Sequence, residues 1–183
     1  MKALLVAWSI VGVATFLSGQ ARRQPEEHAL VHVRTSFEFT IAAPLREASP
    51  LFGPNGERGW SGEDWDPQFL YPQPGKDTQG AVFTVQHATH TSVWVNTVFD
   101  LETGQFQYVY FIPDVLVTMI DVRLKAIDPA NTQVEVVYTR TALTTQANQH
   151  VLALQEQDRS SGKHWQDAIR KYLERAKSKS SEF

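Results

Sequence analysis

No cysteine occurs anywhere in the 183 residues. Disulfides, thiol nucleophiles, cysteine-based zinc sites and a bacterial lipoprotein anchor are thereby excluded together. An excess of positive charge is also missing: the formal net charge is −3, so the basic footprint of a nucleic-acid binder is absent. There is no glycine-rich phosphate loop, no Gly-x-Ser-x-Gly elbow and no His-Glu-x-x-His pair, and with them go the usual motif-borne reasons to expect nucleotide, acyl-serine or zinc-protease chemistry. Gly53-Pro54-Asn55-Gly56 reads as a turn signal only. No cofactor, metal or nucleic-acid partner is expected.

Long apolar runs are scarce as well, and the longest, Ala3 to Leu17, sits directly behind Met1-Lys2. With the small residues Gly19 and Ala21 at its end, it has the layout of a secretory signal, and cleavage is expected after Ala21. The run falls short of the ~20 residues a membrane span prefers. Arg22-Arg23 complicates this reading, because positive charge at that point favours the cytoplasmic side. Two localisations therefore stay open: an exported protein, periplasmic or secreted, with no membrane span after cleavage, or one anchored in the membrane by residues 3–18. Residues 22–28 read as a linker, 29–177 as one domain, and 178–183 as the end of a serine-rich basic tail that starts near Arg175. Roughly 155 residues suffice for a single core without disulfides, and 42% hydrophobic against 20% charged residues is a globular balance.

Periodicity supplies the fold class. Residues 29–41 alternate, with Val31, Val33, Thr35, Phe37, Phe39 and Ile41 on one side, which predicts a half-buried strand. Residues 42–48 start a short helix that Pro50 is expected to stop. Residues 52–75, rich in glycine and proline, also carry Trp60, Trp65 and Tyr71, and so read as an ordered rim rather than a linker. From Gly80 the pattern becomes a meander, with strands expected at 80–87, 91–100, 105–112, 115–126 and 132–143. Connections this short force antiparallel neighbours. Beyond Leu143 the period changes to that of a helix, with Ala147, Val151, Leu154, Trp165, Ile169, Tyr172 and Ala176 forming an apolar stripe. Ser160-Ser161-Gly162 is expected to kink or divide that helix. The class is α+β: an antiparallel sheet of six or seven strands against a long C-terminal helix.

Two stretches carry a resemblance. One runs from Phe52-Gly53-Pro54 through Trp60 to Trp65-Asp66-Pro67-Gln68-Phe69-Leu70-Tyr71-Pro72. The other is Tyr138-Thr139-Arg140-Thr141-Ala142-Leu143-Thr144, leading into a helix with Trp165 and Tyr172-Leu173. Over roughly residues 29–174 the chain resembles the START-like superfamily, also called SRPBCC or helix-grip, and within it the members with no assigned function. The resemblance implies a curved sheet wrapped around the helix with a cavity between them. The superfamily includes lipid carriers, aromatic cyclases, hydrolase-like enzymes and hormone receptors, so fold follows more securely than function.

Within that frame the expected partner is a small apolar ligand, lipid-like or aromatic, bound without catalysis. Trp94, Tyr108, Tyr110 and Tyr138 combine an aromatic body with a polar tip, which suits a cavity wall. Asn96 shares the face of Trp94, Arg140 is placed to clamp a carboxylate, and Trp60 and Trp65 are placed to cover the mouth. The inward set of residues 91–100 stays open between Trp94/Asn96/Val98 and Val93/Val95/Thr97/Phe99, since a one-residue slip exchanges them. His87 and His90 flank a hairpin turn without a neighbouring carboxylate, which points to turn histidines rather than metal ligands. Glu57-Arg58 and Glu63-Asp64-Trp65-Asp66 place carboxylates among aromatics and are the place to look for a catalytic acid. A cyclase- or hydrolase-like enzyme on an aromatic or acyl substrate is the alternative, and a ligand-free interaction or stress protein the third. The oligomeric state is not legible.

Overall fold

A computed structural model describes residues 29–180. The expected signal or anchor, its expected cleavage point and the last residues of the tail lie outside them. Among the described residues no helix is long and apolar enough to cross a membrane. One antiparallel sheet of seven strands organises the chain, in the order β1-β7-β6-β5-β4-β3-β2. Its strands are β1 (His32–Ile41), β2 (Gln68–Tyr71), β3 (Val82–Gln86), β4 (Thr91–Asp100), β5 (Gln105–Ile112), β6 (Leu116–Asp128) and β7 (Asn131–Ala142). The strand that sequence periodicity does not reveal is β2, four residues within the aromatic insert, three of them exposed. Too short and too solvated to show alternation, it is defined by its pairing with β3.

Alternation decides which face is concave. Phe37, Phe39 and Ile41 of β1 meet Val136, Val134 and Thr132 of β7 in register, and all six are buried. In β4 both inward sets are used. Trp94 and Asn96 are buried, the register then shifts between Asn96 and Val98, and Phe99 turns inward against Phe106 at 5.1 Å. A β-bulge adds one residue and so exchanges the faces.

β1 and β2 occupy opposite edges of the sheet, so the chain between them crosses six strand spacings, about 29 Å at ~4.8 Å each. It crosses as α1 (Leu45–Ala48), a 3-10 turn (Ser49–Phe52) and α2 (Pro54–Glu57). Pro50 does not stop the helical path. It sits in the first turn of the 3-10 segment, where its missing N–H costs nothing. Gly53-Pro54-Asn55-Gly56, expected as a turn, likewise opens α2, with proline in the first turn.

The last element, α3 (Asn148–Ser180), is one unbroken helix of 33 residues. Ser160 and Ser161 do not divide it, because their hydroxyls donate to the Gln157 carbonyl at 2.9 and 3.0 Å. Gly162 serves close approach: a Cβ there would lie 3.1 Å from the Phe37 ring. The helix thus settles directly on β1.

Two apolar clusters lie beneath α3. The larger contains Phe37, Phe39, Phe52, Trp60, Phe106, Val136 and Ile169, while the smaller is formed by Ile112, Leu116, Ala142, Ala147 and Val151. Between the two runs a polar layer. Arg140 donates from Nε and Nη2 to both Asp158 carboxylate oxygens at 2.7 and 2.8 Å, and from Nη1 to Tyr110 Oη at 2.6 Å and Thr118 Oγ1 at 2.9 Å. Arg140 and Asp158 are only 4% and 5% exposed. Burial opposes the charge on Arg140, but the hydrogen bonds to Asp158 and the attraction of Tyr110, Asp158 and Tyr138 together outweigh it and its pKa rises. A guanidinium expected to clamp a ligand is therefore committed to fastening α3 to the sheet.

Removing one partner leaves a buried, uncompensated charge, so Asp158→Ala is expected to lose about 3–5 kcal/mol in urea unfolding. The double change Arg140→Met with Asp158→Leu should lose much less, since neither charge is then stranded. Equal losses from the single and double variants would refute this account of the layer.

Candidate functional site: an aromatic cavity with a buried carboxyl

Under the C-terminal half of α3, beyond the polar layer, the elements do not fill the space. A cavity of about 230 Å³ remains, bounded by the insert, the concave sheet and α3. Its walls are largely aromatic: Trp60 and Trp65 from the insert, Trp94 from β4, Tyr108 from β5, Tyr138 from β7 and Trp165 from α3. The rings stand across one another, Trp60 on Trp165 at 5.2 Å and 62°, Trp65 on Trp94 at 5.3 Å and 89°. Edge-to-face contacts of this kind hold the wall rigid without closing the space.

The indole N–H groups explain why the insert is ordered. Trp60 Nε1 donates to the Leu51 carbonyl at 2.8 Å, Trp65 Nε1 to the Pro54 carbonyl at 2.9 Å, and Trp94 Nε1 to Ser92 Oγ at 2.7 Å. Trp60 and Trp65 thus pin the backbone of the insert, and all three tryptophans present carbon surface to the cavity.

Local chemistry also positions a carboxyl. Asp77 accepts from the Asn55 and Gly56 amides at 3.0 and 3.3 Å and from Asn55 Nδ2 at 2.8 Å, closing the start of α2. The Glu57 amide donates to the Gly53 carbonyl at 2.8 Å, and the Trp60 and Ser61 amides fold back onto the Glu57 carbonyl at 3.1 and 2.9 Å. Arg58 turns away to Asp66 and the Pro67 carbonyl. Gly59 lies against the Tyr172 ring, with no room for a side chain. Its neighbours thus committed elsewhere, Glu57 points into the cavity, where its partly exposed side chain joins the lining. Burial first, and the nearby Asp77 charge second, push its carboxyl up from 4.5 to about 8.

Around Glu57, Tyr108, Tyr138 and His87 are all shifted toward their neutral forms. Tyr108 is 4% exposed, and its hydroxyl has no hydrogen-bond partner among the described residues. Burial, then the charges of Glu57 and Asp77, push its pKa up. Burial also pushes up Tyr138, against the pull of Arg140, which lies 4.5 Å over its ring. His87 sits where β3 turns into β4, its ring 4.7 Å from that of His90 and its Nε2 3.1 Å from Ser92 Oγ. Burial and His90 lower its pKa, with Asp64 pulling the other way. Asp64 and His164, both exposed, stand at the mouth. Among the described residues no group of three or more His, Cys, Asp or Glu could hold a metal ion.

Of the residues singled out from sequence, Trp60, Trp65, Trp94, Tyr108 and Tyr138 meet in the lining. Asn96, Tyr110 and Arg140 do not. Asn96 is fully buried and ties β4 to the preceding turn through the Thr78 carbonyl. Tyr110 stacks on Trp94 at 4.2 Å and accepts from Arg140. Glu57, His87, His164 and Trp165 enter the lining without having been named as ligand contacts. The available signal for Glu57 was an acid flanked by Phe52 and Trp60 in a glycine-rich insert.

No protein-family model matches the chain, and no curated protein matches it. Solved structures do. Norcoclaurine synthase from Thalictrum flavum aligns over 94% of this chain and 98% of its own, at 12% identity and a TM-score of 0.59; a further matching structure of that enzyme is a complex with dopamine and hydroxybenzaldehyde. The Zhui aromatase/cyclase from Streptomyces sp. R1128 aligns over 79% and 95% at 18% identity, with a TM-score of 0.58. Ara h 8.0201 aligns over 78% and 98% at 16% identity, with a TM-score of 0.56. At such identities the likeness is one of fold: a curved seven-stranded antiparallel sheet gripping a long C-terminal helix.

Proposed function

We propose that the protein binds a small aromatic molecule of one or two rings in the cavity between the sheet, the insert and α3. The observation that carries this reading is the cavity itself, about 230 Å³ walled by four tryptophans and two tyrosines. An apolar cavity of ~150 Å³ accepts benzene, so the space fits a somewhat larger ring system and is too small for a long acyl chain. Within the range first expected, size and wall chemistry favour the aromatic ligand over the lipid-like one. The fold supports the reading in a general way, since a similar structure holds dopamine and hydroxybenzaldehyde. A ligand-free interaction protein is disfavoured, because the space exceeds a few water volumes, at ~30 Å³ each.

A catalytic reading is favoured by one observation. Glu57, raised to about 8, exchanges protons near neutral pH inside the cavity, as a general acid or base must. Its test is product formation, followed by NMR, from small aryl carbonyls and amines offered to the protein and to Glu57→Gln. No turnover in either would dismiss it and leave binding intact.

Tryptophan fluorescence titrated with phenol, indole and 2-naphthol is expected to saturate, whereas palmitate should produce no displacement. Ala168, part of the α3 wall, offers a plug: Ala168→Phe should weaken the aromatic ligands at least tenfold, with its melting temperature close to that of the parent. Palmitate binding that survives the plug would sink the proposal. Export is also part of it. Cell fractionation with N-terminal sequencing should recover chains beginning at Arg22 outside the cytoplasm, and cytoplasmic chains retaining Met1 would rule that out.

A further inference from the structure

The charge carried by the lining narrows the ligand further. Glu57 and Asp64 are its acids, His87 and His164 its only potential cations, and it contains neither lysine nor arginine. The nearby guanidinium of Arg140 is engaged by Asp158, Tyr110 and Thr118 through four hydrogen bonds. The partly exposed Glu57 carboxyl meets no ion-pair or side-chain hydrogen-bond partner among the described residues, and the buried Tyr108 hydroxyl is without one as well. Desolvation against the aromatic wall makes the Glu57 carboxylate costly, and either a proton or a cation offsets that cost. Ring faces attract cations through their quadrupoles, tryptophan most strongly.

We infer that the cavity is built for a small organic cation, an ammonium group enclosed by the tryptophan and tyrosine rings and neutralised by the Glu57 carboxylate. The inference rests on the aromatic-ligand reading above and adds the charge of the ligand. A neutral guest leaves Glu57 protonated. A cation compensates the buried charge, so Glu57 ionises as the ligand enters and a proton leaves.

The groups facing Glu57 keep that linkage simple. Tyr108 and Tyr138, both pushed upward, stay neutral through pH 9. His87, lowered from 6.5, is neutral above pH 7 and does not repel the guest. Asp77 acts from behind α2 and Asp64 from the mouth, both adding negative potential, while His164 stands at the mouth on α3. Because Glu57 ionises around pH 8 in the empty protein, cation affinity should be roughly tenfold higher at pH 9 than at pH 7.

Calorimetric titration with benzyltrimethylammonium, whose charge is fixed at every pH, against its neutral isostere neopentylbenzene tests the inference. The cation should bind more tightly than the isostere at pH 9, and at pH 7 in two buffers of different ionisation heat its binding should release close to one proton. In Glu57→Gln the proton release and the pH dependence should vanish and cation affinity at pH 9 should fall at least tenfold, with the isostere unaffected. A cation bound no better than the isostere, or a pH profile that survives Glu57→Gln, overturns the inference while the aromatic-ligand reading stands. If neither compound binds, that reading falls as well. The variant also reports on its own fold. Between pH 4.5 and about 8 the folded chain holds a proton that the unfolded chain has lost, so stability declines as pH rises. Glu57→Gln removes that decline and should melt higher than the parent at pH 8. A lower melting temperature would reveal a structural partner for Glu57 and overturn the inference.

Discussion

The ion pair of Arg140 with Asp158 fixes where everything else can be. A helix of 33 residues laid across a twisted sheet has many registers of similar apolar burial. Four donor bonds from a single guanidinium to Asp158, Tyr110 and Thr118 select one of them. A buried pair contributes little net stability, because desolvation consumes most of its Coulomb attraction. Its value here is positional: a slip of one turn along α3, about 5.4 Å, would strand both charges. With Asp158 fixed, Val151 falls onto the Ile112–Leu116 cluster on one side and Ile169 onto the aromatic cluster on the other.

The cavity is the consequence of that registration combined with the sheet topology. Because β1 and β2 lie at opposite edges, the insert has to pass beneath the far half of α3. It passes as short helical segments held by indole N–H groups and by Asp77 rather than as a layer of apolar side chains. The rings meet edge to face, and a space is left where six of them converge. The larger cluster therefore has two jobs, as hydrophobic core along β1 and β7 and as cavity wall from Trp60 to Trp94.

How much of this the sequence discloses depends on the range of the interaction. The alternation in residues 29–41 and the meander after Gly80 are local, and the strands appear within a few residues of their expected bounds. β2 was hidden because four mostly exposed residues carry no period. The helix was legible from its stripe, but Gly162 was open to misreading: glycine marks a helix break or a close approach, and only the position of Phe37 distinguishes them. The same holds at the site. Aromatic residues on inward strand positions could be named, since side-chain parity is local, whereas the roles of Arg140 and Glu57 are set by residues 18 and 20 positions away, Asp158 and Asp77.

Glu57 is the place where the chain departs from what folding alone would favour. Everything around it is locally consistent: proline opens α2, Asp77 caps it, Arg58 finds Asp66, and Gly59 yields to Tyr172. Glutamine at position 57 would fit the same backbone without the burden of a desolvated acid, which the raised carboxyl makes costly above pH 4.5. Local conflicts of this kind collect at functional sites, because elsewhere nothing retains them. The conflict is not isolated, since the orphaned Tyr108 hydroxyl lines the same cavity. The partly exposed Glu57 carboxyl and the buried Tyr108 and Ser61 hydroxyls, none with a side-chain partner among the described residues, face one aromatic enclosure, where a guest would supply what the fold does not.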